Sequence, residues 1–356
     1  MSHRLDTSAF QQPVSPEEAG SLPGPWGALG IVPRGVKIPL FAGCLAVWLL
    51  CSMGIAEAAV DSFRLDASAL NVGSVIFLTG VVIAAIGFLL EARKEDPRIA
   101  AIRLSRFVQQ NGLVHQEDPA LPKLNGSIFE QGHSPGSGMR FRSGPTHPFP
   151  FEIAHYTYET GTERRGANER PSTTTWTYIA LTADRVLPRI VCDAKQNDFW
   201  FVSSIPAGLA KSQLVPLEGG HGKEFKLYAP AGYEQQAQRI FPSEVLGRLL
   251  HDAPAFDVEA VDDQIIFFTR KKLDFTREDT WQQLSGIVFG VGAAMVGLAE
   301  HQPADRFGRN ETPPVTAAGR TLGTRFLTPA VLLTVGAAAM LVVARLLFTG
   351  PLAGML

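Results

Sequence analysis

The sequence predicts an α+β protein in which three transmembrane helices flank one soluble domain, built on an antiparallel sheet with a few helices. Three observations predict it. The chain of 356 residues is 46% hydrophobic and 19% charged, too apolar for an ordinary soluble chain and too polar for one made mainly of membrane helices. Three runs reach the roughly 20 apolar residues that a helix needs to cross a hydrocarbon core about 30 Å thick. Between the second and third runs, segments with period-two alternation group with a few helices and without βαβ order, as in an antiparallel sheet.

Residues 1–37 carry Pro13, Pro16, Pro23, Pro25 and Pro33 among scattered glycines, a composition that predicts a disordered cytoplasmic tail. Residues 38–91 predict a transmembrane hairpin of two helices. Ile38 to Val60 is apolar except for Glu57, and Val72 to Leu90 carries no charge. The first run is longer than a signal-peptide core and follows a long polar segment, so it reads as a retained span. Residues 326–348 predict the last span, interrupted by Arg345. Basic residues sort by side. Arg34 and Lys37 precede the first span, Arg93, Lys94, Arg98, Arg103 and Arg106 follow the second, and Arg309, Arg320 and Arg325 precede the last. This places the N-terminus and the soluble domain in the cytoplasm and the C-terminus outside, in a multi-pass protein of the cell membrane.

The predicted cytoplasmic domain covers 92–300. Pro97 to Gln110 reads as a helix ended by Asn111-Gly112, and 131–138 as a Gly/Ser/Pro-rich loop. Phe149 to Glu159 and Thr173 to Thr182 form a long-looped antiparallel hairpin. Leu187 to Cys192, Phe199 to Val202 and Phe225 to Ala229 are further strands. Pro242 to His251 is a helix. Phe256 to Ala260 and Gln264 to Thr269 pair across a Val261-Asp262-Asp263 turn. The domain ends in an amphipathic helix over 281–299. Gln282 to Ala299 has no charged residue and could pass for a span. However, Trp281, Leu284, Val288, Val291, Met295 and Leu298 recur at spacings of three and four, one stripe of a packed helix. Residues 301–325 form a linker.

The chemistry-bearing patterns are incomplete. Glu218 to Lys223 resembles a phosphate loop, but Leu217 and Glu224 stand where G-x-x-x-x-G-K-[ST] needs Gly and Ser or Thr. His133, His147 and His155, with Glu152 and Glu159, lack metal-ligand spacing. Gly136-Ser137-Gly138 has no preceding strand to make a nucleophile elbow. Cys44, Cys51 and Cys192 form no disulfide or metal pattern. The sequence therefore points to no catalytic residue, cofactor or metal. A formal net charge of −2 without a basic cluster argues against nucleic acid as a partner. The remaining polar candidates are Glu57 and Arg345. A charge inside a span is costly and marks function by default. On the predicted orientation the two lie at similar depth, where they could form an intramembrane ion pair or snorkel separately.

From Phe225, the run FKLYAPAGYEQQAQRIFPSEVLGRLLHDAPAFDVEAVDDQIIFF, with VLPRIVCDAK at Val186 to Lys195, resembles uncharacterised bacterial membrane-anchored proteins. The resemblance covers roughly Phe149 to Arg277. It implies one cytoplasmic domain between transmembrane helices and brings no catalytic residue with it. The expected function is a membrane-tethered interaction module whose partners are the lipid bilayer and a protein or a second copy. The alternatives are a membrane-associated enzyme with a site assembled from His155, Asp193 and the 131–138 loop, and a subunit of a membrane transport or envelope complex.

Overall fold

In the computed structural model the sheet is organised around one 23-residue strand, more than twice the usual length. The structure describes residues 4–15, 17–18, 97–117, 119–161, 172–198, 203–206, 208–300, 317–322 and 324–325. The spans expected at 38–60, 72–90 and 326–348, with Glu57 and Arg345, lie outside them, as does the strand expected at 199–202. The chain forms two compact units, residues 1–11 with 105–356, and residues 12–104. In the second unit, the Arg103 guanidinium donates to the Gln12 carbonyl at 3.2 Å.

Helix α1 (Pro97–Gln110) has the predicted limits. It closes in a Schellman turn, with Leu113 N–H on the Val108 carbonyl and Gly112 N–H on that of Gln109. Gly112 takes φ +61°, the left-handed conformation this cap needs. Strands β1 (Val114–Gln116), β2 (His133–Arg142), β3 (Phe151–Thr160) and β4 (Ser172–Ala194) follow as successive antiparallel neighbours. The short strands β5 (Gly208–Leu209) and β6 (Leu214–Val215) precede β7 (Phe225–Tyr228). Helices α2 (Glu234–Ile240) and α3 (Ser243–Asp252) come next, then strand β8 (Asp257–Thr269). The sheet runs β1-β2-β3-β4-β7-β6, with β8 paired along the other edge of β4, while β5 pairs separately with β9 (Thr324–Arg325). An antiparallel sheet with a few helices is thus the observed architecture.

Three expectations change. The segments at Thr173 to Thr182 and Leu187 to Cys192 are one strand, β4. The hairpin expected across Val261-Asp262-Asp263 is continuous β8, and both of its halves pair with β4. Asp262 takes φ +51°, and register shifts fall beside Leu187 opposite it, so its backbone makes a bulge rather than a reversal. Its carboxylate accepts from the Asn125 amide at 2.6 Å. The third change is the loop expected at 131–138, which belongs to β2 from His133 onward. Ser134 at φ +51° and two register shifts make that strand irregular.

The sheet is covered on both faces. Phe141, Ile153, Ile179, Leu181, Ile265 and Phe267 share the helix-facing side by register. On the other side, Tyr156, Trp176, Tyr178, Ile266 and Phe268 cluster with Ile128 and Phe129 from the segment before β2. Helix α4 (Glu278–Gly286) continues through a π-helical stretch (Ile287–Gly292) into α5 (Ala293–Glu300). Trp281, Leu284, Val288, Val291 and Met295 are fully buried, the stripe the periodicity predicts, while Leu298 is half-buried. Gly292 meets Leu181 of β4. Among the described residues this is the one helix long and apolar enough to cross a membrane, and half of its most apolar window is buried within the fold.

The largest difference lies at the N-terminus. Of the segment expected to be a disordered tail, residues 4–11 pack on the domain. Leu5, Ala9 and Phe10 are buried, and Ser8–Phe10 forms a 3-10 turn. Compositional bias for disorder belongs to the prolines and glycines further on, and the first ten residues contain neither.

Candidate functional site

Beyond the bulge, β4, β7 and β8 bring a line of charged side chains onto one face. In a strand, alternate residues share a face. Arg189, Val191 and Asp193 of β4 therefore line up with Asp257 and Glu259 of β8 and with Lys226 and Tyr228 of β7, as the register requires. The opposite face carries Cys192, Leu227, Val258 and Ala260, all buried.

Each buried carboxylate on this line has its own partners. Glu259 receives the Arg189 guanidinium at 2.7 Å and the Ser127 N–H at 2.7 Å, and Arg189 reaches out to Glu130 at 3.0 Å. Asp193 accepts from the Ser203 hydroxyl at 2.8 Å and from the Lys226 ammonium at 3.2 Å, which also lies 3.6 Å from Asp198. Burial raises the Asp193 pKa above the usual carboxylate range, with Lys226 pulling against it. Burial opposes the charge on Lys226, yet Asp193 and Asp198 hold its pKa above the ordinary value. Asp257 accepts the Ala194 N–H at 2.9 Å and a short hydrogen bond from Ser204, and burial pushes its pKa up to about 7 against those bonds.

This geometry sets where the protons sit. The Ser204 hydroxyl has one proton and lies against both Asp257 and the Asn197 side-chain carbonyl, the latter at 2.9 Å. When Asp257 is protonated it donates to Ser204, which in turn donates to Asn197, and all three groups are satisfied. When Asp257 ionises, Ser204 turns to the carboxylate and Asn197 loses its donor. Together the contacts clamp the segment after β4 to the sheet.

The residues singled out from the sequence fall elsewhere and apart. His155 sits on the helix-facing side of β3, its ring stacked on Phe275 at 4.3 Å with the planes 14° apart. Its Nε2–H donates to the Leu273 carbonyl at 2.9 Å. Burial lowers its pKa to about 4, outweighing that bond. Gly138 lies directly beside His155, so two parts of the imagined enzyme site do meet. Asp193 does not join them, because His155 pairs with Thr177 near one end of β4 and Asp193 with Lys226 at the other.

His133 is at the edge near Glu159 and the Gly161 carbonyl. His147 stands before β3, its ring against Phe151 and Phe289. Glu152 points to the opposite face from His155 and accepts from Tyr178 at 2.7 Å. No group of three or more candidate ligands is placed to hold a metal among the described residues. The phosphate-loop lookalike is a turn through Gly219 and Gly220, both at positive φ, packed against Ser243 at the start of α3. A surface depression is lined by Arg277, Glu278, Asp279 and Gln282 at the start of the Glu278–Gly286 helix.

Sequence reasoning missed Asp257, Glu259, Ser203 and Ser204. The FDVEA run held half of the signal, since two acids two residues apart in a strand share a face. Their partners come from positions with no local relation to that run.

No protein-family model matches the chain, and neither does any curated protein. Among solved structures, the mycobacterial trehalose monomycolate transport factor A, TtfA, superposes on 53% of this chain and 94% of its own, at 12% identity and a TM-score of 0.32. That similarity is too low to carry an argument about fold or function.

Proposed function

We propose that the protein is a multi-pass membrane protein holding a cytoplasmic α+β domain as an interaction module, and that the outward side of the Glu278–Ala299 helix receives a helix of a protein partner. One observation carries this reading. From Gly286 to Ala299 the helix has no charged or hydrogen-bonding side chain. Its inner side is buried against the sheet, and Phe289 packs on Phe151, while Ala293, Ala294 and Leu298 on the outer side are half-buried. A helix side that faces water ordinarily carries charge. Placing the domain between the runs at 38–60, 72–90 and 326–348, with Glu57 and Arg345 bridged near the external interface, is part of the same reading.

The test is a photo-crosslinking residue at Ala294 in the full chain in native membrane, with Ser212, exposed on another part of the domain, as control. A protein adduct at Ala294 and none at Ser212 is expected. Adducts to lipid alone, or equal adducts at both positions, would remove the module's docking face.

A further inference from the structure

The N-terminal segment is held by side chains that have no other evident reason to meet it. The Leu5 N–H donates to the Ser285 hydroxyl at 2.9 Å. The Asn111 side chain acts on the Asp6 backbone from both ends, its carbonyl accepting the Asp6 N–H at 2.7 Å and its amide donating to the Asp6 carbonyl at 2.9 Å. Thr7 and Gln11 both donate to Glu278, each at 3.0 Å. The Phe10 ring lies 5.1 Å from Phe107, which lies 4.5 Å from Trp281. Two buried apolar anchors and a backbone-reading amide are the features of a peptide in its docking groove.

We propose that the groove between the end of α1 and the start of α4 is an intramolecular docking site for residues 4–11, and that this docking fixes membrane topology. The chain leaves the docked segment after Gln11 and re-enters the same unit at Ser105, less than one helical turn before Phe107. An excursion that starts and ends at one place on a water-exposed domain crosses a bilayer an even number of times. Residues 4–11 therefore lie on the same side as the domain. The same-side consequence rests on the membrane reading above, whereas the docking does not. No charge distribution enters here, so the same-side placement stands apart from the basic flanks.

The experiment uses the full chain in native membrane vesicles, with Cys44 and Cys51 changed to Ser and the buried Cys192 left in place. Oxidation of Gln11→Cys with Glu278→Cys should join the two positions within one molecule. Adding Leu5→Asp and Phe10→Asp should cut the yield at least about tenfold, in line with the loss of two buried side chains. No cross-link, a cross-link between two copies, or a yield indifferent to the added acids would overturn the docking. Separately, Arg4→Cys and Ser212→Cys should react with an impermeant maleimide from the same side of the vesicle. Labelling from opposite sides would overturn the topology. Release of the protein by alkaline carbonate would overturn the membrane reading and its same-side consequence, with the cross-link still deciding the docking.

Discussion

The Asp257 carboxyl keeps its proton up to about pH 7 in the folded chain, while in the unfolded chain it loses it near pH 4. Between those values the unfolded state releases a proton that the folded state retains. Stability therefore falls as pH rises through that window, by roughly 4 kcal/mol in total. His155 works in the opposite sense. Its folded pKa of about 4 lies below the unfolded value near 6.5, so stability is lost as pH falls through that window, by roughly 3 kcal/mol. In the native chain the two contributions nearly cancel. Asp257→Asn should make stability rise with pH between 4.5 and 6.5, and His155→Gln, which keeps a donor for Leu273, should make it fall. Denaturant unfolding at three pH values reads both slopes. If neither variant departs from the parent profile, the two burial arguments are wrong. The sequence displays both residues but cannot display the burial that shifts them, because His155 meets Phe275, and Asp257 is closed off from water, only in the folded chain.

Among the helices, two glycines that look alike in the sequence should behave oppositely. A Cβ at Gly292 would come within 2.5 Å of the Leu181 side chain and 2.8 Å of the Ile287 carbonyl. Gly292→Ala should therefore cost about 1–3 kcal/mol, the usual penalty of overpacking. Gly247, inside α3, has nothing within 4 Å of the same position, so Gly247→Ala should stabilise by roughly 0.5–1 kcal/mol. Thermal unfolding of the two variants separates the signs, and a stabilising Gly292→Ala would mean that helix and strand are not in contact there. The helix stripe of Trp281 to Met295 was legible because a 3.6-residue period leaves its mark in any packed helix. The course of β8 was not, since an Asp with positive φ serves equally well in a tight turn and in a bulge. Only the pairing of both halves with β4 distinguishes them, and that pairing is a long-range fact.

For the assembled chain, the architecture was readable as a class, an antiparallel sheet with a few helices. The docking of residues 4–11 was not, because an eight-residue segment carries too little periodicity to announce a partner far along the sequence. Its energetics have a ceiling: a weakened segment simply lets go, so no change within it can cost more than the docking itself. Deleting residues 2–11 should therefore lower Tm by the same amount as combining Leu5→Ala with Phe10→Ala. A deletion much more damaging than the pair would show that the polar contacts to Glu278 and Asn111 do most of the holding.

That docked segment also imposes an order on biosynthesis. Leu5 leaves the ribosome before Ser285, which receives its N–H and follows 280 positions later. At about 5–20 residues per second, the segment waits on the order of 15–55 s for its groove to exist. Its docking is then among the last steps in maturation, and a chain truncated anywhere before α4 leaves it unclasped. An undocked segment exposing Leu5 and Phe10 would thus mark an incomplete chain, in a form that a quality-control protease could read.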